Sequence, residues 1–154
     1  MKNDNNELIT WTNKLECGMT LIDEQHKRFV DLVNGLFCHV TGNEAQEHDY
    51  FNKVIKETVR YIKIHFATEE KIMFVTQFEG YAEHKKEHES FLLAVIDKIH
   101  DYEVGNRLTL SAFTIFIKDW LLSHIVLIDK QYFEYLRKIA TIKPNGKLTV
   151  SMNP

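Results

Sequence analysis

Five histidines and two carboxylates are spaced along this 154-residue chain so that four helices could aim them all at one point. They are His26, His65 with Glu69 (HFATE), His84 with His88 (HKKEH), and His124 with Asp129 (HIVLID). Nitrogen and oxygen donors in that number suit two metal ions better than one. Residues four apart on an α-helix lie about 40° apart around its axis, so His65 can share a point with Glu69, and His84 with His88. Each donor also falls inside the apolar stripe of its segment: His26 one turn before Phe29 and Val30, His124 one turn after Trp120 and Leu121. Imidazoles and carboxylates in a core are costly unless something there satisfies them, and a metal ion does. Asp129 departs from the pattern, because five residues beyond His124 it is rotated by about 140° on an ideal helix. Either the helix widens locally into a π-bulge, a feature frequent at functional sites, or Asp129 faces outward and the site is incomplete.

A single HxxxH or HxxxE on a helix is usually an accident; donors on the buried faces of four helices multiply the odds against one. His39, His48 and His100 lack a partner in their own stripes and read as surface or bundle-edge residues. Glu70 points about 100° away from Glu69 and reads as a solvated acid.

Breakers and apolar periodicity define the elements that must position these donors. Proline occurs only at positions 144 and 154, and neither proline nor glycine occurs in 43–79 or 106–143. The spacing predicts a first helix from near Leu21, behind Thr20 with Asp23 as an approximate capping box, carrying His26, Phe29, Val30, Val33, Phe37 and Val40 to a stop at Gly42. Asn43 can cap a second helix through Phe51, Ile55, Ile62, His65, Glu69 and Met73, broken at Gly80. A third runs from about Ala82 to Glu103, and a fourth from near Thr109 to about Ile142. Period-two alternation occurs only at Lys147–Ser151. Short links between long helices predict an all-α fold, an antiparallel up-down-up-down four-helix bundle with an N-terminal arm and a short C-terminal tail. The expected division is an arm over 1–20 anchored on the bundle surface by Ile9 and Trp11, a bundle over 21–142, and a loosely held tail over 143–154 with a turn at Pro144-Asn145-Gly146.

A net charge of −3, with Lys and Arg scattered among acids, argues against a nucleic-acid partner, which needs a concentrated basic face. Cys17 and Cys38 have no zinc spacing and read as small buried hydrophobes. No run approaches a membrane span, and MKNDNNELITW holds no apolar core for a secretion signal, so a cytoplasmic location is the default.

The segments LIDEQH, HFATEEKIM, YAEHKKEH and WLLSHIVLID, with the Trp11 arm and Gly18, make the sequence resemble the hemerythrin family, and within it the single-domain bacterial hemerythrins. The likeness covers roughly Trp11 to Lys138; Met19, where a branched aliphatic is more usual, and the tail depart from it. The resemblance implies two iron ions with an oxo or hydroxo bridge, one iron held by His84, His88 and His124 and the other by His26 and His65. It implies that Glu69 and Asp129 bridge them, the HxxxxD spacing being the family's own, and that one position stays open on the two-histidine iron. Reversible binding of dioxygen there is the implied activity, in a dry pocket expected to be lined by Phe29, Phe66, Trp120 and Leu121.

Three functions compete. A non-catalytic carrier, storage or delivery protein, with an oxygen-consuming enzyme as a candidate delivery target, fits the histidine-rich donors. A di-iron enzyme acting on peroxide or nitric oxide ranks lower, because such enzymes use more carboxylates and no further acid or tyrosine is clearly placed beside the open position. An oxygen or redox sensor module would need an output domain.

Overall fold

The computed structural model describes residues 7–105, 108–142 and 148–150, and its elements follow the breakers closely. Helix α1 spans Thr20–Cys38, α2 Glu44–Val75, α3 Tyr81–Glu103 and α4 Leu110–Ser123. Helix α4 continues without a break through a π-helical segment, His124–Asp129, into α5, Lys130–Ile139, so that these three pieces form one rod. Helix α1 packs on α2 and α4, and α3 packs on the same two, which closes the ring of four. The links 39–43, 76–80 and 104–109 are too short to let neighbouring rods run parallel, and the result is an antiparallel four-helix bundle.

Asn43 caps α2 as the sequence predicts, and Thr109, near which the fourth helix was expected to start, caps α4. Asn43 Oδ1 accepts from the Gln46 N–H (3.1 Å) and Thr109 Oγ1 from the Ala112 N–H (3.0 Å). Helix α1 differs. Met19 occupies its cap without a side-chain bond, and Asp23 reaches back to accept from the N–H groups of Cys17 (2.7 Å) and Gly18 (3.1 Å). Helix α1 also ends at Cys38, four residues before Gly42. Gly42 has φ +77 and belongs to the turn, where its N–H and that of Thr41 both donate to the buried Glu47 Oε1 at 2.8 Å.

The arm is held from inside. Asn34 of α1 accepts through Oδ1 from the N–H groups of Leu8 (3.0 Å) and Ile9 (2.9 Å), and its Nδ2 donates to the Ile9 carbonyl (2.8 Å). Ile9 is consequently part of the core and not a surface anchor, while Trp11 is half-buried. Cys17 is buried as expected, but Cys38 is exposed: it lies two residues, about 200°, beyond the buried Leu36. At the other end the helix stops at Ile139, short of Ile142, because Ala140–Ile142 (β1) turns into an antiparallel ladder with Leu148–Val150 (β2), pairing Thr141 with Thr149. The turn expected at Pro144-Asn145-Gly146 lies outside the described residues.

The rod Leu110–Ile139 is, by length and hydropathy, apolar enough to cross a membrane, contrary to the sequence expectation. Its composition has a second cause, since Leu110, Phe113, Ile117, Leu121 and Ile125 are core residues packed against the other rods. The interior itself is divided. One apolar cluster runs from Ile9 and Leu36 to Phe66, Phe91 and Ile125; a second holds Cys17, Ile22, Met73, Tyr132, Phe133 and Leu136. On α1 the sequence passes from Ile22 through His26 to Phe29, and on α2 from Phe66 through Glu69 to Met73. A polar layer therefore separates the two apolar clusters.

Candidate metal centre

All seven donors named from the sequence converge in that layer, and all are buried. Helix α1 brings His26, α2 His65 and Glu69, α3 His84 and His88, and the π-helical segment supplies His124 and Asp129 at its two ends. The π-helix settles the alternatives open for Asp129. Its i→i+5 bonding winds more residues into each turn, so residues five apart return to one face. Asp129 is fully buried, 2.9 Å from His124 Nε2 through Oδ1.

The donors fall into two overlapping groups, in each of which the candidate ligand atoms lie within 4.8 Å of one another. One is His84, His88, His124, Glu69 and Asp129; the other is His26, His65, Glu69 and Asp129. Both carboxylates belong to both groups. Every histidine directs Nε2 inward: His26 Nε2 is 3.2 Å from Asp129 Oδ2, His84 Nε2 3.1 Å from Asp129 Oδ1, His88 Nε2 3.3 Å and His65 Nε2 3.6 Å from Glu69 Oε2.

The polar atoms do not satisfy one another. Both nitrogens of His26, Glu69 Oε2 and both oxygens of Asp129 are buried without an aligned hydrogen bond. The Nε2 atoms of His84, His88 and His124 crowd together, at 3.0 Å for His88 to His124 and 3.2 Å for His124 to His84. Such spacing is poor hydrogen-bond chemistry for three like groups, yet it is the separation of adjacent ligands each about 2.1 Å from a shared ion at right angles. Nitrogen and carboxylate donors without thiolate suit iron, and equally other first-row metals that accept imidazole. The residues present fit a two-metal group.

Protonation in the metal-free site reflects the same crowding. Burial by itself pulls His26 and His84 down, but the close approach and charge of the Asp129 and Glu69 carboxylates more than offset it and raise both to about 9. His65 goes the other way, to about 4, because burial outweighs the pull of Glu69. Burial pushes Glu69 and Asp129 up, and the surrounding histidines hold both below the usual carboxylate range.

The family model of the Hemerythrin HHE cation binding domain matches residues 17–136. The chain belongs to the hemerythrin family. It is 31% identical over 127 residues to the bacteriohemerythrin of Methylococcus capsulatus, an alignment covering 81% of this chain and 94% of that one. To the hemerythrin of Themiste dyscrita it is 30% identical, covering 79% and 88% of the two chains. A crystal structure of wild-type hemerythrin superposes with a TM-score of 0.71 at 29% identity, over 82% of this chain and 96% of that one.

Of the four residues expected around the hemerythrin site, Phe29, Phe66 and Trp120 stand against its histidine rings. Phe66 stacks on His88 (3.8 Å between centroids) and Trp120 on His124 (4.2 Å), so Trp120 backs the three-histidine half. Phe29 stands edge-on to His65 at 6.3 Å, Phe66 is 5.9 Å from that ring, and Leu121 is buried in the larger apolar cluster. Phe133, edge-on to His26 at 6.3 Å, belongs with them and was missed from the sequence, although it follows Asp129 by four residues.

Other contributors were missed as well. Tyr132, fully buried, donates its hydroxyl to Glu69 Oε1 at 3.0 Å, which puts a tyrosine at the site after all; its position three residues beyond Asp129 was the available signal. Gln25 Oε1 lies 2.9 Å from His65 Nδ1. Glu70 is not a solvated acid: its Oε1 lies 3.1 Å from His88 Nδ1. It reaches a histidine on α3, a neighbour that spacing along α2 does not disclose. His39, His48 and His100 are exposed and stand apart from the cluster.

Proposed function

We propose that this chain is a non-heme di-iron protein that binds dioxygen reversibly at one iron, serving as a carrier, store or delivery protein and not as an enzyme. The observation that carries it is the pair of donor groups sharing Glu69 and Asp129, three histidines on one side and two on the other. His84, His88 and His124 would hold one iron, His26 and His65 the other, and the two carboxylates would bridge them. The unequal count would give the two-histidine side fewer protein ligands. Two ferrous ions held by these residues would supply a place for dioxygen and the electrons that it takes up and returns.

The chain's own residues do the rest. Phe29, Phe66 and Phe133 set apolar surface against the His26 and His65 rings that excludes water and reductants, and that exclusion favours release of dioxygen over its reduction. The Tyr132 hydroxyl is engaged by Glu69 and is thereby occupied in holding a ligand.

Alternating exposure of the reduced, iron-loaded protein to air and argon tests this directly. A visible charge-transfer band should appear and bleach over many cycles, with about two irons per chain, and His124→Ala should abolish it. Steady turnover of peroxide or nitric oxide would establish an enzyme instead, and about one zinc per chain would remove both readings.

A further inference from the structure

Resting on the di-iron reading, we propose that Glu70 tunes the three-histidine half of the site through His88, with Lys85 opposing it from the surface. Both His65 and His88 direct Nε2 into the site, and the outward Nδ1 of each meets a side chain of different charge. For His65 that partner is the neutral Gln25, whose Nε2 donates to Thr68 Oγ1 (3.1 Å) and so keeps the amide oxygen turned to the ring at 2.9 Å. For His88 it is the carboxylate of Glu70, at 3.1 Å, and the other oxygen of that carboxylate lies 3.8 Å from Lys85 Nζ.

The chemistry of the two arrangements differs. An anion accepting the Nδ1–H draws the proton toward itself and leaves Nε2 a stronger donor, which favours the more highly charged, oxidised metal. An amide oxygen exerts the same pull without a charge. The two halves of the site, alike in using imidazole, are thus made unlike by what stands behind it. Glu70 is 20% exposed and Lys85 41%, whereas His88 is 1% exposed, so the buried metal half is linked to charge that solvent reaches. Lys85 competes for the same carboxylate and weakens its hold on His88. Glu70 and Lys85 are positioning residues that act through His88.

Two variants of the iron-loaded, full-length chain separate electronic tuning from simple support. Reduction potential is read by spectroelectrochemical titration and autoxidation by the decay of the oxygenated band. Glu70→Gln keeps the shape and the hydrogen bond but loses the charge; it should raise the potential and slow autoxidation about tenfold. Lys85→Gln should shift both in the opposite direction and by less, because an exposed pair is screened. Shifts of the same sign in both variants, or none, overturn the tuning role. If Glu70→Gln loses its iron, Lys85→Gln decides alone: a lowered potential supports the proposal and an unchanged one overturns it. Wild-type protein without two irons would overturn the di-iron reading itself, a result distinct from iron-loaded variants whose potentials do not move.

Discussion

Glu69 sits at the meeting point of the two donor groups, and the only hydroxyl aimed at it among the described residues is that of Tyr132, at 3.0 Å. A carboxylate shared between two ions must hold one orientation, since a small rotation would unload one of them. Tyr132→Phe removes the hydroxyl while retaining the ring that packs 4.2 Å from Phe133. The expected outcome is an iron-binding protein of nearly unchanged melting behaviour that surrenders iron to a chelator roughly tenfold faster. Equal rates for variant and parent would show that Glu69 is oriented by the metals alone. Burial and the charges of Glu69 and Asp129 push the Tyr132 hydroxyl well above its ordinary pKa, so it remains a donor across the working range.

Two elements depend on more than apolar packing between helices. In the π-helical segment His124–Asp129, one residue more than an α-helical turn needs separates the two donors. Deleting the exposed Leu127 leaves a four-residue spacing, which an ordinary α-helix also brings to one face. That variant should still bind two metals per chain. Inserting one alanine after Leu127 makes the spacing six and turns Asp129 off the face, and metal analysis should then show the pair lost. The arm is the second such element, held by three hydrogen bonds to Asn34. Asn34→Ala strands these partly buried backbone groups and should cost about 1–3 kcal/mol in denaturant unfolding, with little change in metal content.

At the level of the whole molecule, the polar layer between two apolar clusters makes stability depend on what fills it. The signs follow from the folded-state shifts. His26 and His84 are raised from 6.5 to about 9, so the stabilisation they give the metal-free fold is complete below 6.5 and is lost as pH rises through about 9. His65 is lowered from 6.5 to about 4, so its contribution is present above 6.5 and lost as pH falls toward 4. Glu69 and Asp129, held low, lose theirs as acid protonates them. Thermal melts of the chelated protein should therefore peak near pH 6.5 and fall on either side. Metal binding must expel the protons of His26 and His84, so apparent affinity should climb by roughly a hundredfold per pH unit between those limits if both leave. The loaded protein should melt higher than the chelated one throughout.

Much of this was legible in the chain because two of its signals are local. A glycine-free, proline-free stretch with apolar residues three and four apart has few alternatives to a helix; Asn43 caps the helix it was expected to cap, and the fourth helix starts where expected, behind Thr109. Polar donors lying inside such stripes declare that they will be buried, so six of the seven could be named before any contact was known, while Asp129 rested on the resemblance. Packing between helices decided the rest, because a linear spacing specifies direction only on an ideal helix. The π-helix that turns Asp129 inward, the reach of Glu70 to His88 and of Tyr132 to Glu69, and the burial of Ile9 under Asn34 all depend on a neighbouring rod or on a departure from ideal winding. Hydrogen bonds between residues tens of positions apart leave no periodic trace, and only the assembled bundle brings their partners within reach.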